Sequence, residues 1–438
     1  MWLTVAILLM PQVTCQTDRP DEAEILAGAD SRIERHRKVD LQVTVLDADG
    51  APLPNVRVSV EQIGHEFLFG CNIFTWRQPE NPAAEQAYRE RFAELLNYAT
   101  LPFYWWAYER ERGRPIHPQM AEVADWCNQH GIRTKGHPLA WNYGEPAWLP
   151  DDPKQVAGMQ MERIADCVTT FAGKIDVWDV VNEAAAFDRP DIGGKKLTAA
   201  IKALGRSEFV RQAFATARRA NPKAVLLIND YEVGDRYEQV IRELVDEGGR
   251  RLYDTIGIQS HMHKETWPLT RVWTVCERFA KFGVPLHFTE LTVLSGSAKT
   301  DDDWSATRSG WDTTPEGERA QADYVEKLYR VLFSHPSVEA ITWWDFSDYH
   351  AWQGAPAGLL RKDQSPKPVY ERLLKLIKHA WWTREAAVTQ ADGTVTLRVF
   401  RVRHRVTAQG VDGARTTTEI TTARDEPNRA ILRVGKVQ

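Results

Sequence analysis

The chain has 438 residues, of which 43% are hydrophobic and 26% charged, a balance that excludes disordered and collagen-like classes. That length accommodates one large domain of about 250 to 300 residues and a small accessory one. The net charge of -5 is spread over both signs with no stripe of Lys or Arg, which argues against nucleic acid as the main ligand and favours a neutral one. Tryptophan stands out, with 17 copies beside 12 Tyr and 15 Phe, and flat rings are a usual platform for the apolar faces of sugars.

In chain order, Met1–Met10 form an apolar stretch too short to span a bilayer, followed by Pro11 and polar residues. Residues 1–15 are therefore expected to be a signal peptide, and the protein secreted or periplasmic. No other stretch is apolar enough to cross a membrane. Cys15, Cys71, Cys127, Cys167 and Cys276 are widely spaced, so neither a zinc site nor a dense disulfide framework is expected. Within residues 16–65, two alternating runs, Lys38–Leu46 and Val56–Gln62, flank the turn Asp47–Pro52 and predict a β-hairpin or small sheet over the bottom of the main domain.

Over residues 66–380, strand and helix patterns alternate. The strand candidates are Phe67–Cys71, Tyr98–Pro102, Thr134–Pro138, Val177–Asn182, Ala224–Asn229, Thr255–Ser260, Val284–Glu290 and Ala340–Trp344. Amphipathic stretches between them include Pro118–His130, Pro153–Phe171, Ser207–Ala220, Arg236–Glu247, Thr270–Gly283 and Pro315–His335. Eight such units predict a (β/α)8 TIM barrel, in the α/β class. A doubly wound sheet is the alternative, but no Gly-x-Gly-x-x-Gly follows an early strand, so no nucleotide cofactor is expected. Residues 381–438 turn to short alternating strands with turns at Ala391–Gly393 and Val411–Gly413. They predict a small antiparallel β domain with either a packing or a sugar-binding role.

Two glutamates stand where apolar, β-branched runs stop: Glu183 after Val177–Asn182 and Glu290 after Val284–Thr289. A carboxylate at the inner end of a buried strand is costly without a partner or a task. Retaining hydrolysis of a glycoside requires such a pair about 5 to 5.5 Å apart, one protonated and one ionised. Asn182 precedes Glu183 and is suited to grip a sugar hydroxyl, so Glu183 is assigned as acid and base. Gln259 and His261, at the end of the sixth strand, supply donors that keep a carboxylate ionised, so Glu290 is assigned as nucleophile.

The ordered segments Gly136–Asn142, Trp178–Glu183, Leu227–Tyr231, Gly257–His261, Thr289–Leu291, Ile341–Trp344 and Leu359–Tyr370 resemble glycoside hydrolase family 10, the retaining endo-β-1,4-xylanases, over about residues 60–378. The resemblance implies the same roles for Glu183 and Glu290. It further implies that His137 and Trp141 line the sugar at the cleavage point and that Asn182 holds its 2-hydroxyl. Gln259 and His261 would support the nucleophile, Trp344 would form a wall, and Trp352 a lid. Asn229 and Tyr231 would face the leaving-group side. No metal or other cofactor is implied, and the expected partner is a xylan-like polysaccharide or oligosaccharide bound by a monomer.

Three departures from the family pattern bear on specificity. Phe103 and Tyr104 replace a polar pair that grips the next sugar, Asn142 stands where His is common, and Thr292 replaces an Asp. The leading expectation is cleavage of internal β-1,4 linkages of xylan or a related plant β-glycan. A retaining β-glycosidase acting on decorated xylo-oligosaccharides or other β-glycosides is the alternative, and a non-catalytic sugar-binding barrel is a further one.

Overall fold

A computed structural model describes residues 20–78, 81–410 and 413–435. Residues 1–15, and the Val411–Asp412 part of the last expected turn, lie outside the described residues. Eight parallel strands close into a barrel: Leu68–Asn72, Tyr98–Pro102, Arg133–His137, Val177–Asn182, Val225–Asp230, Thr255–Ile258, Leu286–Val293 and Val338–Trp343, with the eighth hydrogen-bonded to both the first and the seventh. They are numbered one to eight below. Strands four and seven are buried at every position, which is why their sequences read as continuous apolar runs.

Some of the connecting helices begin where a side chain satisfies a free amide group. Asp152 accepts from the Lys154 N–H with Pro153 in the first turn, and Thr314 accepts from the Gly317 N–H with Pro315 following. The expected helices occur within a few residues of their predicted bounds. Pro82–Leu95, Trp105–Tyr108, Lys195–Leu204 and Pro368–Lys375 add four more, and Glu22–Ala27 and Ala29–Arg37 precede the first strand. No helix among the described residues is long and apolar enough to cross a membrane.

Both N-terminal runs form strands of small sheets, but they do not pair with one another as a hairpin. Lys38–Leu46 pairs antiparallel with Thr394–Phe400 and parallel with Arg429–Arg433, whereas Arg57–Gln62 lies between Arg384–Val388 and Arg403–Gln409 in a second sheet. Arg415–Thr421 completes that second sheet. The Asp47–Pro52 segment thus carries the chain from one sheet to the other. The physical reason is burial: a two-stranded hairpin would leave its apolar face in water. The crossing instead places Leu41, Val43 and Val45 with Val58, Val60, Leu397, Val399, Val406 and Leu432 in one core. N- and C-terminal strands therefore build one β-sandwich.

The sandwich meets the barrel at the end where the parallel strands start. There Arg37 is buried, with Nε 2.7 Å from the Phe333 carbonyl oxygen and Nη2 2.7 and 2.6 Å from those of His335 and Val338. Its guanidinium lies over the rings of Phe67 and Phe333, and Trp381 stacks on Phe333 at 4.2 Å. This one side chain satisfies carbonyls that would otherwise be stranded beneath the barrel. Replacing Arg37 by Ala should lower unfolding stability by about 2–4 kcal/mol, since hydrogen bonds to a charged donor and packing are lost together. Denaturant titration checks this, and an unchanged midpoint would refute the role.

Candidate functional site

The opposite end, where the parallel strands stop, gathers the expected chemical groups. Glu183 follows strand four with φ 57° and ψ 40°, a left-handed conformation that costs a non-glycine residue about 1–3 kcal/mol. Strand five holds it there. The Glu183 N–H donates to the Asn229 carbonyl at 2.8 Å, and the Ala185 N–H donates to the Asp230 carboxylate at 2.9 Å. Burial pushes the Asp230 carboxyl up to about 8. Glu290 lies within strand seven rather than at its end, because Thr292 and Val293 go on to pair with His261 and Met262. Register shifts between Asp179 and Val181, just before Glu183, and between Phe288 and Leu291, across Glu290, interrupt the ladders at each glutamate. Such bulges re-aim side chains.

Glu183 and Glu290 are 7% and 4% exposed and are joined through three amide side chains. Gln259 Nε2 donates to Glu183 Oε1 at 3.1 Å and to Asn182 Oδ1 at 3.2 Å, while Asn229 Nδ2 donates to Asn182 Oδ1 at 2.8 Å and to Glu290 Oε1 at 2.7 Å. Two expected roles change accordingly. Asn229 is fully buried and holds the nucleophile candidate instead of facing the leaving-group side. Gln259 serves the acid/base candidate instead of the nucleophile, because its amide points across the strand ends to strand four.

The remaining expected residues surround this core. Trp141 Nε1 donates to Glu183 Oε2 at 3.0 Å. His261 Nε2 is 3.1 Å from Glu290 Oε2, and its Nδ1 is 3.0 Å from the Thr292 hydroxyl, a neutral partner where an acid would add charge. His137 is nearly inaccessible, with Nε2 3.9 Å from Glu290 Oε1 and Nδ1 2.7 Å from Asp179. Trp344 stands edge-on to both histidines, at 5.4 Å from His137 and 5.7 Å from His261. Trp352 packs 4.8 Å from His261, and its backbone N–H donates to the Asp345 carboxylate at 3.0 Å. Tyr231 is 39% exposed at the mouth.

The two carboxyls are driven in opposite directions. Burial raises Glu183, and this outweighs the lowering effect of Arg189, whose Nη1 forms an ion pair with Glu183 Oε2. Burial also pushes on Glu290, but the charges and donors of His137 and His261 outweigh it and leave this carboxyl below its ordinary value. One group thus favours holding a proton and the other favours its ionised form.

Sequence reasoning missed several contributors. Arg189 comes from the loop after strand four, six residues past Glu183, where no pattern marks it. Of the two aromatic departures, Phe103 is buried against Phe171 and Trp178 in the core, and only Tyr104 reaches the site, 5.6 Å from His137 and 5.8 Å from Trp141. Trp106, Tyr143 and Trp304 extend the aromatic lining. Asn142 fastens the wall, donating to the Phe187 carbonyl at 3.0 Å and to Thr198 at 2.9 Å.

Beneath the site, Lys135 Nζ is 2.6 Å from Asp179 Oδ2 with both side chains inaccessible. Burial pushes the Asp179 carboxyl upward, but Lys135 and His137 outweigh it and hold it below the usual range. Asp179→Asn should cost about 3–5 kcal/mol by leaving a buried ammonium unpaired. Adding Lys135→Met should recover part of that loss, and chemical denaturation of the single and double variants decides it. No recovery would mean that the pair is not a unit.

The profile of glycosyl hydrolase family 10 matches residues 61–376. Among curated relatives, the chain is 25% identical to the anti-sigma-I factor RsgI6 of Acetivibrio thermocellus, over 86% of this chain and 46% of that protein. It is 28% identical to endo-1,4-beta-xylanase A of a Caldicellulosiruptor species, over 58% of this chain and 38% of that protein. The chain thus spans less than half the length of both relatives. Xylanase 10B from Thermotoga petrophila, solved with xylobiose, shares the fold with a TM-score of 0.59 and 22% identity, over 72% of this chain and 95% of that one. With the profile covering most of the chain, including both glutamates and the residues that join them, the protein belongs to glycosyl hydrolase family 10.

Proposed function

We propose that the protein is a retaining β-glycosidase that cleaves internal β-1,4 linkages of xylan or a related plant β-glycan. The observation that carries this reading is the divergence of two buried carboxyls within one hydrogen-bonded cluster, Glu183 raised and Glu290 lowered. In the first step the ionised Glu290 attacks the anomeric carbon. The bond to the leaving oxygen breaks, and that oxygen takes the proton from Glu183. In the second step Glu183, now a carboxylate, takes a proton from water whose oxygen attacks the same carbon and releases Glu290. The Asn182 amide nitrogen, 3.4 Å from Glu183 Oε1, is placed to meet a sugar hydroxyl beside the reacting carbon. Trp141, Trp344 and Trp352 offer rings against which sugars pack.

Membership of the family and the names of xylanase relatives support the substrate class. Export by way of the apolar opening residues belongs to the same reading because polymeric xylan does not cross a membrane, and we take the acting form to be a monomer. A second reading, favoured by Tyr104 and its aromatic neighbours in place of polar groups, keeps the mechanism and moves the substrate to short or decorated β-glycosides. Product sizes from xylan, arabinoxylan, mixed-linkage glucan and aryl xylosides separate the two, since internal cutting yields oligomers and end-wise cutting yields monomer.

Release of reducing ends from xylan should fall about 10²- to 10⁴-fold in Glu183→Ala and at least as far in Glu290→Ala. On an aryl xyloside with an acidic phenol, Glu183→Ala should retain the first step as a phenol burst, because that leaving group needs no proton, whereas Glu290→Ala should show none. Full xylan activity in either variant would refute the assignment. For the wild type, kcat/KM should be bell-shaped: it declines on the acid side as Glu290 takes a proton, below the ordinary carboxylate range, and on the alkaline side as Glu183 loses one, above it. An alkaline limb at or below the ordinary carboxylate value would contradict the role of Glu183.

A further inference from the structure

We infer that Arg189 makes the leaving-group side of this site an anion-accepting subsite, so that the enzyme favours β-glycosides whose leaving group carries a carboxylate near the scissile oxygen. The inference rests on Glu183 being the acid, since that assignment locates the leaving group beside it. Arg189 Nη1 meets Glu183 Oε2, and its Nε lies 3.0 Å from Asp191 Oδ1. The guanidinium also faces the rings of Tyr143 at 5.4 Å and Tyr231 at 5.7 Å, with 18% of the side chain exposed. It therefore occupies the gap between two tyrosines on the mouth side of the acid.

The loop that presents Arg189 is anchored. The Gly193 N–H donates to the Tyr143 carbonyl at 2.9 Å and the Gly194 N–H to that of Asn142 at 3.0 Å. A Cβ at either glycine would fall 2.6 or 2.5 Å from those same oxygens, so the close approach requires glycine. Tyr143 in turn stacks on Trp141 at 4.7 Å. The guanidinium is thus held in place.

Its charge balance changes during the reaction. Glu183 faces Arg189, Glu290, Asp230, Tyr104, Tyr143 and Tyr231, and Arg189 faces Glu183, Asp191, Tyr143 and Tyr231. While Glu183 is ionised, Arg189 has a buried counter-charge. The first chemical step requires Glu183 to carry a proton, and among the described residues the acidic partner that Arg189 then retains is Asp191, whose side chain is 55% exposed and screened by water. A cation largely withdrawn from solvent would be left undercompensated. A carboxylate on the leaving group restores the balance and can take two parallel N–H donors from the guanidinium fork. A neutral leaving group cannot.

The test uses two β-xylobiosides, one releasing 3-hydroxybenzoate and the other its methyl ester, in which the group meta to the scissile oxygen changes charge with little change in the acidity of the leaving phenol. The wild type should favour the carboxylate by about tenfold in kcat/KM, the scale of one charge-assisted hydrogen bond. Arg189→Gln should abolish that preference, and Arg189→Lys should keep part of it, since charge remains and the fork is lost. The alkaline limb of kcat should lie at higher pH for the carboxylate than for the ester in the wild type, and the two should coincide in Arg189→Gln. Equal rates for both substrates in the wild type, or a preference that survives in Arg189→Gln, would overturn the inference while leaving the hydrolytic reading intact. Failure to cleave either substrate would strike that reading instead. In that case fluorescence titration with the matching pair of thioglycosides still decides whether Arg189 selects the anion, with equal affinities overturning it.

Discussion

Removing a carboxylate from water costs several kcal/mol unless hydrogen bonds and opposite charge replace the lost hydration. This chain does so twice within a few residues' reach, and much of the barrel mouth follows from how the replacement is arranged. Asn182, Asn229 and Gln259 form a connected set of amides between Glu183 and Glu290, so that neither acid can move without disturbing the other. Histidines surround one carboxyl and a single arginine meets the other. The difference in proton affinity comes from these neighbours, since burial acts on both in the same sense.

Chemistry and anchorage lie at opposite ends of the strands, as the architecture favours. The mouth carries a left-handed glutamate, interrupted ladders and a buried lysine–aspartate pair beneath it, all of which cost stability. The other end is tightly satisfied, with Arg37 bonded to several carbonyls and Trp381 stacked on the same aromatic cluster. Strain at one end is offset by packing at the other.

Local patterns carried much of this in the sequence. Apolar runs such as those of strands four and seven identified barrel strands because a strand covered on both faces favours apolar residues, and both glutamates were marked by their place in such runs, whereas Arg133–His137, with Lys135 and His137, carries no such run. What was not legible depends on contacts distant along the chain. Lys38–Leu46 and Arg57–Gln62 look like a hairpin because the turn is local, while the strands that compete for them lie more than three hundred residues later. Asn229 reaches Glu290 and Gln259 reaches Glu183, neither as expected, because small shifts of register between neighbouring strands decide which carboxylate an amide reaches. Phe103 and Tyr104 are adjacent yet face the core and the site respectively, and Arg189 sits on a loop whose course is set by Asn142 and Tyr143.

The shared sandwich also bears on synthesis. Its first two strands leave the ribosome long before Thr394–Phe400 and Arg429–Arg433 exist to cover them. At about 5–20 residues per second, that interval is on the order of tens of seconds. Throughout it, the alternating valines of Lys38–Leu46 present an unpaired edge that has to be kept from other chains.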